Sequence, residues 1–190
     1  MRLILASASP RRRQLLAQLG IKAHVQPAVI DERWLPPESP ECYVLRLAQA
    51  KARQVAQLTA ERPVLAADTA VVIDHQILGK PANAQEAAAM LQRLAGRWHQ
   101  VLTGVVVIGS DVSQQTCVST RVLLCPITPA EAAAYWASGE PSDKAGGYAI
   151  QGLGAVFVER IEGSYSNVVG LPLFETARLL HFSHKHLVLL

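Results

Sequence analysis

Between Val64 and Ile73 the chain reads VLAADTAVVI, an apolar run broken only by Asp68 and Thr69. A short, near-continuous apolar run of this kind reads as a central strand of a sheet. It also sets a problem, because a carboxylate in such a strand is expensive to bury without a partner. Everything around it must therefore build a sheet and account for Asp68.

The flanking segments supply the sheet and its covering helices. Leu3–Ala6 is a short apolar strand. At Ser9-Pro10 a helix begins, with Ser9 placed to cap it, Pro10 at the first helical position and Gly20 beyond its end. Ser39-Pro40 repeats the device, and the helix it opens gathers Val44, Leu45, Leu47, Ala48, Ala52 and Val55 on one side. Asn83 and Glu86 form a capping-box pattern before a helix through Met90, Leu91 and Leu94, closed by Gly96. Val101–Ile108 and Thr116–Leu124 read as an antiparallel hairpin turning at Ser110-Asp111. Thr128, Pro129 and Glu131 start another helix, which ends at Gly139. Val156–Arg160 reads as a strand, Pro172–Leu180 as a last helix, and His186–Leu190 as an edge strand or a loose tail. Helices interleaved with strands, plus a hairpin, predict an α/β fold with a mixed sheet.

Composition bounds the rest. Half of the 190 residues are hydrophobic, enough for one large domain or two small lobes sharing a core without disulfides or a structural metal. The formal net charge of +3 is too mild for a nucleic-acid binder but compatible with a local cationic pocket for a small anion. Cys42, Cys117 and Cys125 follow no metal-ligand spacing and read as small buried hydrophobes in a reducing compartment. The arginines of MRLILASASPRRR follow the apolar run, the wrong order for secretion, and no window suggests a membrane span. The expected location is the cytoplasm.

Five places stand out for chemistry. In Ser7-Ala8-Ser9-Pro10-Arg11-Arg12-Arg13, arginines crowd the first turn of a helix, whose N-terminus already carries partial positive charge. A bound anion would resolve that conflict, and strand, serine-rich turn, helix N-terminus and guanidinium groups make a phosphate cradle. The plainer reading is a solvated basic turn. Asp68 either coordinates Mg²⁺ or holds an attacking water, or is a strand-end aspartate bonded to local backbone. Glu32, in Asp31-Glu32-Arg33, is a weaker partner carboxylate that also reads as surface charge.

Lys51, Lys80 and Lys144 each read individually as surface, and together as counter-charge for a triphosphate. The fourth place is Glu140–Gly154, EPSDKAGGYAIQGLG, an irregular stretch whose glycines let backbone approach a ligand. The fifth is the polar turn Gly163–Pro172, which could be a second anion or ribose site and equally a plain helix entry. His181, His184 and His186 read as a polar tail rather than a metal site, and His99 as a structural histidine. No Gly-x-Ser-x-Gly elbow occurs, which argues against a serine hydrolase.

In order along the chain stand Ser7-Ala8-Ser9-Pro10-Arg11-Arg12, Lys51-Ala52, Ala67-Asp68-Thr69, Lys80-Pro81 and His99-Gln100-Val101-x-Thr103. They are followed by Asp143-Lys144-Ala145-Gly146-Gly147-Tyr148-x-Ile150-Gln151-Gly152 and Val168-Val169-Gly170-Leu171-Pro172. Over nearly its whole length the chain thus resembles the Maf family. The resemblance implies one domain over residues 1–190, an elongated α/β fold of two lobes sharing a sheet, with a central cleft, similar to the inosine-triphosphate pyrophosphatases. It also implies a pyrophosphohydrolase dependent on a divalent metal, Mg²⁺ or Mn²⁺, with Asp68 as the catalytic proton acceptor.

By the same resemblance, Arg11, Thr69 and Gln151 govern substrate choice, and match the branch acting on dTTP and UTP. The sister branch acting on 7-methyl-GTP differs there. Ser9, Arg12, Lys51 and Lys80 are then expected on the phosphates, with Glu32 and Asp68 as metal ligands. A homodimer is common among such proteins, and no nucleic-acid or membrane partner is expected. Two other readings stay open: the same chemistry on 7-methyl-GTP or a modified nucleotide, and a non-catalytic nucleotide-binding regulator of cell division.

Overall fold

A computed structural model describes residues 3–59, 63–109 and 112–183, with the side chains of residues 181–183 left out. The elements run β1 (Leu3–Leu5), α1 (Pro10–Gln18), β2 (Ala23–Val25), α2 (Pro40–Ala56), β3 (Val64–Ile73), β4 (Gln76–Leu78) and α3 (Ala84–Leu94). They continue β5 (Trp98–Ile108), β6 (Ser113–Leu124), α4 (Pro129–Ala137), β7 (Val158–Glu162), α5 (Tyr165–Val169) and α6 (Leu173–Ser183). Three short 3-10 turns, Glu140–Asp143, Ala145–Gly147 and Leu153–Phe157, lie between α4 and β7.

The sheet is mixed, with strand order β2-β1-β3-β5-β6-β7 and β4 paired to β3. As the VLAADTAVVI run requires, β3 is internal: β1 pairs with it in parallel at Ile4↔Val64 and Leu5↔Leu65. β5 and β6 are neighbours joined through residues 109–112, a connection too short for a parallel crossover, so the hairpin reading holds. Its turn residues Ser110 and Asp111 lie outside the described residues, as do His184 and the tail His186–Leu190. Among the described residues no helix is long and apolar enough to cross a membrane.

Two compact units divide the chain. The first comprises Met1–Asp68, Thr103–Val118 and Gly170–Leu190. Its core joins Ile4, Val64, Ala66 and Val106 from the strands, with Ala6 just beyond β1, to Ala48, Ala52 and Val55 of α2. The alanines thin this layer, so helix and sheet approach closely. A Cβ on Gly104 of β5 would lie 2.7 Å from the carbonyl carbon and oxygen of Val44 in α2.

The second unit comprises Thr69–Leu102 and Ser119–Val169. Its core packs Val71, Ile73, Leu91, Leu94, Val101, Val122 and Leu124 against Tyr135, Tyr148 and Phe157. β3 and β4 turn at Asp74 and His75, both at positive φ (51° and 60°), as a tight hairpin requires.

Most predicted caps are present. Ser39 accepts from the Cys42 N–H, and the Thr128–Glu131 capping box is complete. Asn83 accepts from the Glu86 N–H, but the Glu86 carboxylate reaches the N–H of Ala82 rather than that of Asn83. Ser9 is a correction: it occupies the capping position, but its side chain caps nothing, and the turn is held instead by Ser7 Oγ accepting from the Ser9 N–H.

The cysteines are a second correction. All three are free, but Cys42 is exposed and Cys117 and Cys125 are only partly covered. Partial burial still pushes the Cys117 thiol up to about 11. Strands β2 and β4 and the helix α5 are additions to the predicted set, and the strand expected at Val156–Arg160 begins two residues later, after a 3-10 turn.

The contact between Gly104 and α2 gives a stability test. Gly104→Ala is expected to cost about 1–3 kcal/mol, because the rigid backbone of Val44 must move. Urea unfolding with an unchanged midpoint would show that helix and sheet are not in close contact there.

Candidate functional site

Helix α1 begins with a conflict. Arg11, Arg12 and Arg13 fill a first turn that holds no acidic residue and has no side-chain cap. The three are not equivalent: Arg12 is buried, Arg11 half-buried and Arg13 exposed. Arg12 turns inward, donating from Nε to the Gly170 carbonyl at 2.8 Å and from Nη1 to Ser7 Oγ at 3.0 Å. Burial pushes the Arg12 guanidinium below its ordinary value, Asp68 opposes, and Arg11 adds to the lowering. A buried guanidinium is well suited to an anionic ligand.

Asp68 lies in the middle of β3, 8% exposed. Its partner comes from α2. Lys51 shares the buried face of Leu47, Ala48, Ala52 and Val55, and its Nζ lies 2.6 Å from Asp68 Oδ1. Lys51 is thus a correction to the solvated-lysine reading, being 8% exposed.

The same Nζ lies 2.6 Å from Glu32 Oε1. Of the Asp31-Glu32-Arg33 triplet, Asp31 and Arg33 pair with each other at the surface, while Glu32 reaches inward. Tyr43, which sequence reasoning missed, donates its hydroxyl to the Glu32 carbonyl at 3.0 Å. Partial burial, then the charges of Asp68 and Glu32, push that phenol up to about 12.

Asp68 is pulled both ways. Burial raises its carboxyl above the ordinary aspartate range, Lys51 and Arg12 oppose this, and burial prevails. That is the direction a proton acceptor needs, since an ordinary aspartate is too weak a base near neutral pH.

The remaining candidates differ in exposure and partners. Thr69 adjoins Asp68 and is half-buried, whereas Lys80 and Gln151 are exposed. Lys144 is engaged in its own loop, by Asp143 and by the Glu140 carbonyl at 3.1 Å. His99 is buried, with Nε2 2.7 Å from the Tyr148 hydroxyl. Burial lowers His99 to about 4, so it stays neutral, as a structural histidine should.

The Gly163–Pro172 turn is bonded both within itself and to β5. Ser164 Oγ accepts from the Asn167 N–H at 3.2 Å, and Asn167 Nδ2 donates to the Val101 carbonyl at 2.9 Å. Its link to the α1 arginines is the Gly170 carbonyl, a connection the sequence does not display.

Glu32 and Asp68 suit a divalent metal in kind. Both are hard oxygen donors, and two oxygens each 2.6 Å from one nitrogen are near enough to share a cation. Among the described residues no group of three or more His, Cys, Asp or Glu gathers as a metal cage. Two carboxylates without a cage are the donor set expected where Mg²⁺ is also held by substrate phosphates.

The sequence profile of the family described as Maf-like protein matches residues 2–182. The chain belongs to that family. It is 52% identical over 182 residues to the dTTP/UTP pyrophosphatase of Pseudoalteromonas atlantica, covering 94% of this chain and 95% of that one. It is 55% identical to the dTTP/UTP pyrophosphatase of Anaeromyxobacter sp., covering 94% and 88%. The solved structure of the Staphylococcus aureus Ham1 protein is similar at TM-score 0.47 and 12% identity, over 66% of this chain and 72% of that one.

The Lys51–Asp68 pair makes a pH-dependent prediction. Because the folded-state value of Asp68 is raised, the folded chain holds that proton more tightly than the unfolded chain does. The contribution of this group is therefore most favourable at low pH and falls as pH rises above the ordinary aspartate value of about 3.9. Lys51→Met removes an opposing cation and widens that window. At pH 8 it should cost about 3 kcal/mol, the scale of a broken buried pair, and near pH 4 much less. Equal losses at both pH values in denaturant melts would contradict a raised Asp68.

Proposed function

We propose that this Maf-like protein hydrolyses dTTP and UTP to the nucleoside monophosphate and pyrophosphate. Two supports carry the reading: relatives at 52–55% identity that bear that name, and the raised, lysine-paired carboxyl of Asp68 beside buried Arg12. Water attacks at the α-phosphorus, and the barrier lies in placing it in line and stabilising charge on phosphoryl oxygens.

Asp68 orients the water and accepts its proton at a carboxylate oxygen. Lys51 favours the ionised form of that carboxylate against burial and is positioned to meet phosphate oxygen when substrate arrives. Arg12 offers a guanidinium already fixed by Ser7 and Gly170, so little side-chain entropy is lost on binding. Mg²⁺ or Mn²⁺ held by Glu32 and Asp68 would supply Lewis-acid stabilisation of the phosphoryl charge.

Ser9, Arg11 and Lys80 are assigned to the phosphates by resemblance, with Arg11 also influencing choice of nucleotide. Thr69 and Gln151 are assigned to the base. The Gln151 amide offers one donor and one acceptor, matching O4 and N3–H of uracil or thymine. A cytoplasmic location fits three free cysteines.

The deciding experiment is a panel of triphosphates assayed for pyrophosphate release with Mg²⁺ or Mn²⁺, on wild type and Asp68→Asn. UTP and dTTP should be preferred, and the variant should fold and lose at least ~100-fold in turnover. A preference for 7-methyl-GTP would move the chain to the sister specificity. Tight UTP binding without pyrophosphate release would favour a regulator, and near-normal hydrolysis by Asp68→Asn would remove Asp68 from its role.

A further inference from the structure

The stretch Glu140–Gly154 carries Gln151, and its shape has a specific cause within its own unit. Tyr135, on α4, is buried, and its ring meets Phe157 edge-on at 5.3 Å. The complete capping box at Thr128 fixes the start of that helix. The Tyr135 hydroxyl donates to Glu140 Oε1 at 2.7 Å and accepts from the Ala149 N–H at 3.1 Å. Glu140 then accepts from the Leu153 N–H through Oε2 and from the Gly154 N–H through Oε1, both at 2.9 Å.

Gln151 therefore sits between anchored backbone groups, with Ala149 on one side and Leu153 and Gly154 on the other. Two glycines make the approach feasible. Gly152 has φ +127°, a region L side chains rarely adopt, and a Cβ there would run into Glu140 Oε2. A Cβ on Gly154 would lie 2.5 Å from the Tyr135 hydroxyl and 2.6 Å from the Ala149 carbonyl.

Partial burial pushes the Glu140 carboxyl up, but the Tyr135 hydroxyl and the two backbone N–H groups outweigh it and hold it below the ordinary glutamate range. Glu140 thus stays an acceptor for all three donors throughout the neutral range. A carboxylate has the acceptor capacity for three donors converging on one point, whereas an amide would turn a donor toward at least one of them.

We propose that Glu140 and the Tyr135 hydroxyl are positioning residues for Gln151, which fix the loop geometry through which the nucleobase is chosen. This rests on the reading of Gln151 as the base-selecting residue. Neither group touches the nucleotide; both act through the backbone of residues 149–154. Their loss should loosen selectivity while leaving the phosphate chemistry in place.

The test compares Glu140→Gln, Tyr135→Phe, Gln151→Ala and the double variants Glu140→Gln/Gln151→Ala and Tyr135→Phe/Gln151→Ala, assaying UTP, CTP and GTP. Glu140→Gln and Tyr135→Phe should each lower the UTP/CTP and UTP/GTP ratios of kcat/KM about tenfold, the scale of one hydrogen bond, mainly through KM for UTP. Adding either change to Gln151→Ala should change the ratios no further.

If Gln151→Ala shifts the ratios and the two positioning variants do not, the inference fails and the reading of Gln151 stands. If Gln151→Ala leaves them unchanged, that reading fails and takes the inference with it. A loss of selectivity that adds in full to that of Gln151→Ala would show Glu140 acting by another route, and overturn the proposal. Should Glu140→Gln not fold, as judged by circular dichroism, Tyr135→Phe deletes a single hydroxyl and carries the test alone.

Discussion

One ammonium group, Lys51 Nζ, lies 2.6 Å from both Asp68 and Glu32, and the first unit is organised around making that contact. Asp68 is presented by an internal strand whose other residues are almost all apolar. A carboxylate there would shed its charge by taking up a proton unless a cation were supplied. α2 supplies it from within its apolar face, where Ala48 and Ala52 leave room for a long side chain to lie along the helix. Close seating of α2 on the sheet, which Gly104 permits, is thus a condition for the charge pair as well as for the core.

The compensation is incomplete, and that incompleteness is useful. With full compensation Asp68 would behave as an ordinary or depressed aspartate, ionised but feebly basic. Burial leaves it above that range despite Lys51 and Arg12. Arg12 shows the same balance from the cationic side, lowered by burial and supported by Asp68. The two groups depend on each other electrostatically, so the cation and the carboxyl proposed to meet phosphate and to accept a proton cannot be tuned independently.

The sequence was legible where one short-range rule decided the outcome. The apolar run 64–73, the Ser-Pro helix starts and the Thr128–Glu131 box need only local chemistry, and all are present. It was also legible at Asp68, because a carboxylate in an apolar strand is anomalous without reference to anything distant. It was less legible where a residue's state depends on a remote partner. Lys51 reads as a surface lysine until Asp68 and Glu32 are placed against it. Ser9 reads as a cap, yet its side chain makes no cap bond. Strands β2 and β4 are as short as β1, but where LIL is wholly apolar and buried, AHV and QIL each include a polar residue and so form no apolar run. The α1 arginines read as a conflict, but the burial of Arg12 depends on the Gly170 carbonyl, 158 residues away.

The two ways in which functional groups are held follow from what each must do. Asp68, Lys51 and Arg12 are fixed by burial and by one another's charge, so their protonation is coupled to their position. That suits groups that exchange protons or meet phosphate charge, because geometry and reactivity are set together. Gln151 is neutral, and an electrostatic network would give it little hold. Its position is instead determined by backbone N–H groups of neighbouring residues, gathered by Glu140 and Tyr135, with Gly152 and Gly154 providing the clearance. An amide distinguishes bases by the direction of a donor and an acceptor, and that direction is only as well defined as the backbone carrying it. A loop that is nearly all turn and glycine needs something rigid to hold it if it is to read a base as proposed, and the support present is a single carboxylate bonded to a buried tyrosine.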